Sequence, residues 1–166
     1  MDIRLLGDPV LRQAGEEVEE FDDDLRQLAE NMFETMYSAE GIGLAAPQVG
    51  LSMRLFVMDV GDDEVGARAV VNPVIVEREG SEREDEGCLS LPGMFGAVDR
   101  AKKIVMEGLD LDGQPIRVEA EDLVARCIQH EIDHVDGVLF IDHLSPIKRR
   151  MLLNKWKKQQ KEEARR

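Results

Sequence analysis

The sequence predicts an α+β fold, with antiparallel sheets expected around a central helix. Three observations predict it. Apolar residues recur at helical spacing in three separate segments, and strand-like runs are grouped between the first two of them. Strands and helices do not alternate one for one as they would in a parallel βαβ chain. The N-terminal helix follows Asp22, a suitable N-cap, and places Leu25, Leu28, Ala29, Met32 and Met36 on one face. Asp22, Asp23 and Asp24 also suit the positive end of its dipole, and the helix should stop near Gly41. A loop with Gly41, Gly43 and Pro47 leads to the apolar run Leu55-Phe56-Val57-Met58. Val70-Val71 and Val74-Ile75-Val76 are interrupted by Asn72-Pro73, where proline implies an edge strand or a bulge. Residues 77–87 are dominated by charge and glycine and carry no strand pattern. Ile104-Val105-Met106 and Ile116-Arg117-Val118 flank Asp112-Gly113, a hairpin signal. The second helix spans about Glu121 to Val135 and ends before Gly137, a natural C′ residue. The third, C-terminal helix opens at Ser145-Pro146, with Ser as N-cap and Pro at N1.

The chain has 166 residues, 43% of them hydrophobic, which suits one domain over 1–166 with a real core. Aromatics are only 4%, so that core must be built from Leu, Ile, Val, Ala and eight Met. The net charge of −14 works against a general polyanion binder, because nucleic-acid affinity rests on neutralising phosphates. The charge is uneven, however. Residues 145–166 hold nine Lys or Arg against two Glu, a local +7, which leaves −21 on the rest. Met1-Asp2-Ile3-Arg4 lacks the basic and apolar pattern of a secretory signal, and no apolar run approaches a membrane span. The expected location is the cytoplasm, with no membrane partner and with Cys88 and Cys127 as free thiols or metal ligands.

The sharpest chemical signal is His130-Glu131-Ile132-Asp133-His134. On a helix, positions i and i+4 share a face, so both imidazoles can reach one cation, with Glu131 beside them as a base. Two histidines need a further ligand. In the longer HExxHxxGxxH pattern a third His follows the glycine, but here Phe140 stands in that position after Gly137. His143 is out of phase and reads as a turn or surface residue, and Glu162 and Glu163 lie in the basic tail. Cysteine remains. Cys127, three residues before His130, reads as a small core residue, whereas Cys88 lies in Glu86-Gly87-Cys88-Leu89-Ser90 beside a glycine that permits close backbone approach. One thiolate with two imidazoles would leave an open position, as catalytic sites do. A third segment, Gly41-Ile42-Gly43-Leu44-Ala45-Ala46-Pro47-Gln48, reads as a loop built for close contact.

Taken in order, these three segments resemble the peptide deformylases of the bacterial type 1, which remove the formyl group from nascent chains. The resemblance spans essentially the whole chain. It implies that Cys88, His130 and His134 hold one divalent metal, natively Fe²⁺, for which Zn²⁺, Ni²⁺ or Co²⁺ can substitute. It implies that Glu131 is the general base and then the acid, and that Gln48 and the Leu89 N–H stabilise the formyl oxygen. Gly43 would contact substrate through its backbone. An apolar pocket for the methionine side chain is expected from Ile42, Leu44, Leu123, Cys127 and the stem of Arg126, with Glu86 also counted among the substrate-side residues. Beyond the pocket, an extended peptide would add as a strand beside Gly41–Leu44.

Two positions depart from the resemblance. Arg126 stands where relatives usually carry an apolar residue, its head expected to run towards Glu86 or solvent. Phe95 stands where some relatives place a substrate-facing arginine. The rival readings are a small metallopeptidase sharing HExxH and a metal-storing binding protein. For the basic tail, the resemblance implies that Lys148, Arg149, Arg150, Lys155, Lys157 and Lys158 touch ribosomal RNA, against the plainer reading of a solvated helix docked through Trp156.

Overall fold

A computed structural model describes residues 1–166. Helix α1 (Asp23–Ser38) is capped by the Asp22 carboxylate, which accepts from the Leu25 N–H. Strands β1 (Gly43–Ala45), β2 (Leu55–Met58) and β3 (Arg68–Glu79) follow. They are succeeded by β4 (Glu82–Cys88), β5 (Leu91–Arg100), β6 (Lys103–Leu109) and β7 (Pro115–Glu121). Helix α2 (Asp122–Val135) carries the two histidines, and α3 (Pro146–Ala164) ends the chain. Ser145 caps α3 by accepting from the Lys148 N–H, and Gly137 closes α2 with a positive φ of 78°.

Five strands form one antiparallel sheet in the order β1-β2-β3-β6-β7, and β4 and β5 form a separate hairpin. The sheet is covered on both faces. Leu25, Ala29, Met32 and Met36 of α1 pack against Leu44, Leu55, Val57 and Val71 on one side. Val124, Ala125, Ile128 and Ile132 of α2 pack against Ala45, Phe56, Met58, Val70, Met106 and Val118 on the other. This double burial explains why β2 reads as four consecutive apolar residues, all of them buried. A third cluster joins Leu91, Met94 and Val98 of β5 to Phe140, Leu144, Leu152 and Trp156, docking α3 on the hairpin.

Of the edge strand or bulge expected at Asn72-Pro73, the structure has the bulge: β3 is the central strand, and a register shift falls between Val71 and Val74 opposite β6. Asn72 takes a φ of 49° there, and its amide both accepts from the Val18 N–H and donates to the Val18 carbonyl. The bulge thereby ties down the segment that leads into α1. Residues 77–87, unpatterned in sequence, complete β3 and form most of β4. They show no apolar alternation because β4 turns mostly charged side chains to solvent, and the one residue it buries, Glu86, is itself charged.

Replacing Asn72 by Ala removes both hydrogen bonds to Val18 and leaves a strained φ. We expect a loss of about 1–3 kcal/mol, read as a lower urea midpoint with unchanged slope.

Candidate metal centre and cavity

Helix α2 lies between the five-stranded sheet and the β4–β5 hairpin, and the reactive side chains converge where these meet. The donor atoms of Cys88, His130 and His134 all lie within 4.8 Å of one another. The His134 and His130 Nε2 atoms are 3.2 Å apart, and Cys88 Sγ is 3.3 Å from His134 Nε2. Edges of a tetrahedral site with ordinary nitrogen and sulfur bond lengths are roughly 3.3–3.5 Å. The donor set therefore fits one divalent metal with a position left open. Cys88 reaches the site because a register shift between Gly87 and Cys88 bends the end of β4.

Glu86 positions the first histidine. Its Oε1 is 2.8 Å from His130 Nδ1 and 2.9 Å from an Arg100 nitrogen. Its Oε2 accepts from Arg100 Nε at 2.8 Å and from Arg126 at 2.7 Å. With His130 Nδ1–H donating to a carboxylate, Nε2 is left unprotonated for a metal. Burial alone would raise the Glu86 carboxyl, but hydrogen bonds from Arg100 and His130 outweigh it and hold the group well below the usual range. Arg100 also pairs with Asp133 at 2.6 Å, inside the histidine motif, and Asp133 accepts from His143 at 2.8 Å. His143 thus supports the cluster from its half-exposed side and supplies no ligand.

Electrostatics separate the remaining groups. Burial holds His134 well below its ordinary value, helped by the positive charge on Arg100, which keeps it neutral and able to ligate. Burial also raises Cys127 well above a normal thiol, and Glu131 and Glu86 reinforce this, so Cys127 stays protonated. Its Sγ donates towards the Ile42 carbonyl at 3.6 Å and forms part of the cavity wall. Glu131 is pushed up to about 7, chiefly by burial. Its Oε1 is buried with no hydrogen-bond partner, next to the histidines. Gly43 is what allows this closeness: a Cβ there would sit 2.8 Å from the Glu131 carboxyl carbon and 3.0 Å from Cys127 Sγ.

Gln48 is oriented by its neighbours. Its Oε1 accepts from the Ala45 N–H at 2.9 Å, which turns Nε2 towards Ser90 Oγ at 3.2 Å and Cys88 Sγ at 3.5 Å. Leu89 follows Cys88 in the turn between β4 and β5, and its side chain packs over Gly41. These groups open into a cavity of about 730 Å³ whose wall includes Ile42, Gly43, Leu123, Arg126, Cys127 and Glu131. β1 pairs only with β2, so its other edge carries no strand.

Two expected substrate-side residues, Leu44 and Glu86, sit differently. The Leu44 side chain is fully buried in the cluster against α1, because successive strand residues alternate faces and Gly43 takes the cavity side. Glu86 borders the cavity, but each oxygen already accepts two hydrogen bonds, which leaves no acceptor site for a substrate. Of the two directions expected for the Arg126 head, it takes the one towards Glu86: it is buried, donating to that carboxylate and to the Val98 and Glu82 carbonyls, while the residue still lines the cavity. Sequence reasoning missed Arg100 and Ser90. Arg100 carried one usable signal, since a carboxylate next to a ligand-bearing Gly-Cys pair requires a cation once buried.

The family model described as polypeptide deformylase matches residues 1–150. A peptide deformylase from Alkalilimnicola ehrlichii is 49% identical, the match covering 95% of this chain and 89% of the relative. One from Hydrogenovibrio crunogenus is 48% identical over 99% of this chain and 97% of the relative. The crystal structure of a peptide deformylase from Legionella pneumophila superposes with a TM-score of 0.93 at 46% identity, covering 99% of this chain and 98% of that one.

Truncating Glu86 to Ala leaves two buried guanidinium groups without their shared carboxylate, and should cost about 3–5 kcal/mol at pH 7. The cost depends on pH. A carboxyl whose folded pKa is depressed stabilises above its unfolded value of about 4.3 and loses that contribution as pH falls towards the folded value. Denaturation of wild type and Glu86→Ala should therefore converge as pH drops below about 4.

Proposed function

The chain belongs to the polypeptide deformylase family, and we propose that Glu131, Gln48 and Leu89 carry its reaction at a metal held by Cys88, His130 and His134. The reaction is metal-dependent hydrolysis of the N-terminal formyl group of newly synthesised proteins, with release of formate. The observation that carries the residue assignment is the unpartnered Glu131 Oε1 beside three convergent metal donors.

When bound, the metal supplies Lewis-acid polarisation and makes water acidic enough to act near neutral pH. We propose Fe²⁺ as the native ion, with Zn²⁺, Ni²⁺ or Co²⁺ as substitutes. The protein does the rest. Glu131 takes a proton from the attacking water and delivers it to the amine that leaves when the C–N bond breaks. A pKa of about 7 suits it to both directions, and such transfer contributes roughly 10²–10⁴-fold. Gln48 Nε2 and the Leu89 N–H donate to the formyl oxygen as charge develops, each donor lowering the barrier by roughly 3 kcal/mol. Ala45 holds the Gln48 amide in that orientation in advance. The methionine side chain enters the wall formed by Ile42, Leu123, Cys127 and the Arg126 stem, and the peptide extends along the free edge of β1 beside Gly43.

Residues 1–166 act as one domain in this reading, at work in the cytoplasm; no helix is long and apolar enough to cross a membrane. The basic helix α3 supports association with the ribosome. Leu152 and Trp156 dock it, which leaves Lys148, Arg150, Lys155, Lys157 and Lys158 exposed and Arg149 half-buried for RNA phosphates.

The test is anaerobic purification with metal analysis, followed by formate release from a formyl-Met tripeptide. Glu131→Gln should retain the metal and lose at least about 100-fold in kcat. Formate release unchanged in Glu131→Gln would reject the role given to Glu131, and no formate from metal-loaded wild type would reject the activity. Glu131→Gln should also stabilise the metal-stripped protein. A carboxyl with a raised folded pKa ionises first in the unfolded chain, so wild-type stability falls as pH rises from about 4.3 to about 7. Above pH 7 the variant should unfold later by about 3 kcal/mol, with little difference at pH 4.

A further inference from the structure

Phe95 belongs to two surfaces at once. It is 67% exposed on β5, and a Cβ on Gly87, the residue before Cys88, would meet its ring at 2.7 Å. Met94 and Phe95 line the catalytic cavity, and both also line a second groove of about 300 Å³ between β5 and α3. The far wall of this groove is Leu144 and Leu152 with Met151, and Lys148 and Lys155 flank it. Positions 148, 151, 152 and 155 of α3 are spaced i, i+3, i+4 and i+7, and so share one face. Met151 is 67% exposed and Ile147 on the preceding turn 73%, an apolar strip without cover. The groove is thus continuous with the cavity and apolar along its floor. Lys148 and Lys155 flank it, on a basic helix carried by an otherwise acidic chain.

We propose that this groove is an accessory site for the downstream part of the substrate peptide, selecting apolar and acidic residues beyond those held in the cavity. The proposal rests on the reading of the cavity as the formyl-peptide site. A chain leaving the cavity past Phe95 enters the groove without crossing another element, because the same two residues border both. Lys148 and Lys155 lie seven helical residues apart, about 10.5 Å along the axis. An extended peptide covers that distance in about three residues. Carboxylates four positions apart share one face of an extended peptide, with the apolar side chain midway between them on that face covering Met151, and the flexible lysines reach that spacing. Basic stretches are disfavoured by the same two lysines.

The experiment uses purified, metal-loaded enzyme and two lengths of synthetic substrate. A formyl-Met-Ala-Ser tripeptide ends at its third residue and lacks the downstream part of the substrate. Decapeptides with the same first three residues carry either an acidic and apolar tail or a lysine-bearing tail. Wild type should turn over the acidic decapeptide with kcat/KM about fivefold above the tripeptide, through KM, and the gain should fade in high salt. The Lys148→Glu/Lys155→Glu double variant should lose that gain and come to favour the lysine tail, and Met151→Ser should lose part of it. Tripeptide turnover should be unchanged in both variants. Rates independent of the tail in wild type, or equal losses on tripeptide and decapeptide in the variants, would overturn the proposal. Light scattering that shows a dimer abolished by Met151→Ser would instead assign the groove to a second copy of the chain. Absence of tripeptide turnover in wild type would overturn the cavity assignment itself.

Discussion

The Glu86 carboxylate is the constraint on which the other parts of the site depend. It receives two hydrogen bonds from Arg100, one from Arg126 and one from His130, and these donors come from β5 and α2 while the acceptor comes from β4. Three elements are thereby held in one register. Arg126 adds bonds to the Glu82 and Val98 carbonyls, so the hairpin is pinned to the helix at both of its strands. Cys88 is two residues from Glu86, and its place opposite His134 follows from that docking. With Asp133 included, two carboxylates balance two guanidinium groups, and the cluster is near neutral only when complete.

A second constraint is backbone proximity. α2 approaches β1 so closely that no side chain fits at Gly43, and this contact buries Glu131 at the cavity wall. Desolvation then brings its pKa near neutrality. The proton transfer proposed for Glu131 therefore depends on a packing distance as much as on the carboxyl itself. The same proximity leaves the free edge of β1 bordering the cavity, where Ile42 and Gly43 lie beside the reactive groups.

Much of this is legible in the sequence. The helix ends followed from local chemistry: Asp22 and Ser145 as caps, Pro146 at N1 and Gly137 at C′ all act within a few residues of themselves. The His130 and His134 pair was legible because helical spacing alone brings the two rings together. The strand β4 was not, because its one buried residue is a charged one satisfied by partners far along the chain. Leu44 was misplaced for a related reason. A three-residue strand has too few positions to reveal which face is which, and only the packing of α1 decides it. Pro73 was ambiguous, since a bulge in a central strand and an edge strand leave the same mark in sequence.

By itself, then, the sequence determined what is local: three helices, the two-imidazole motif, a glycine-rich contact loop and the separation of a basic tail from an acidic body. The ordered motifs were enough to place it beside the deformylases. The tertiary structure decided what depends on distant partners. It set Cys88 beside the two histidines and buried Cys127 as a thiol against the Ile42 carbonyl. It turned Arg126 inward, because a buried Glu86 carboxylate and two strand carbonyls attract a guanidinium more strongly than an apolar pocket mouth does. It also joined the cavity to a groove on α3 through Phe95, a continuity that no spacing in the chain encodes. Caps and periodicity act over a few residues, whereas burial and charge pairing are set by whichever surfaces the fold brings together.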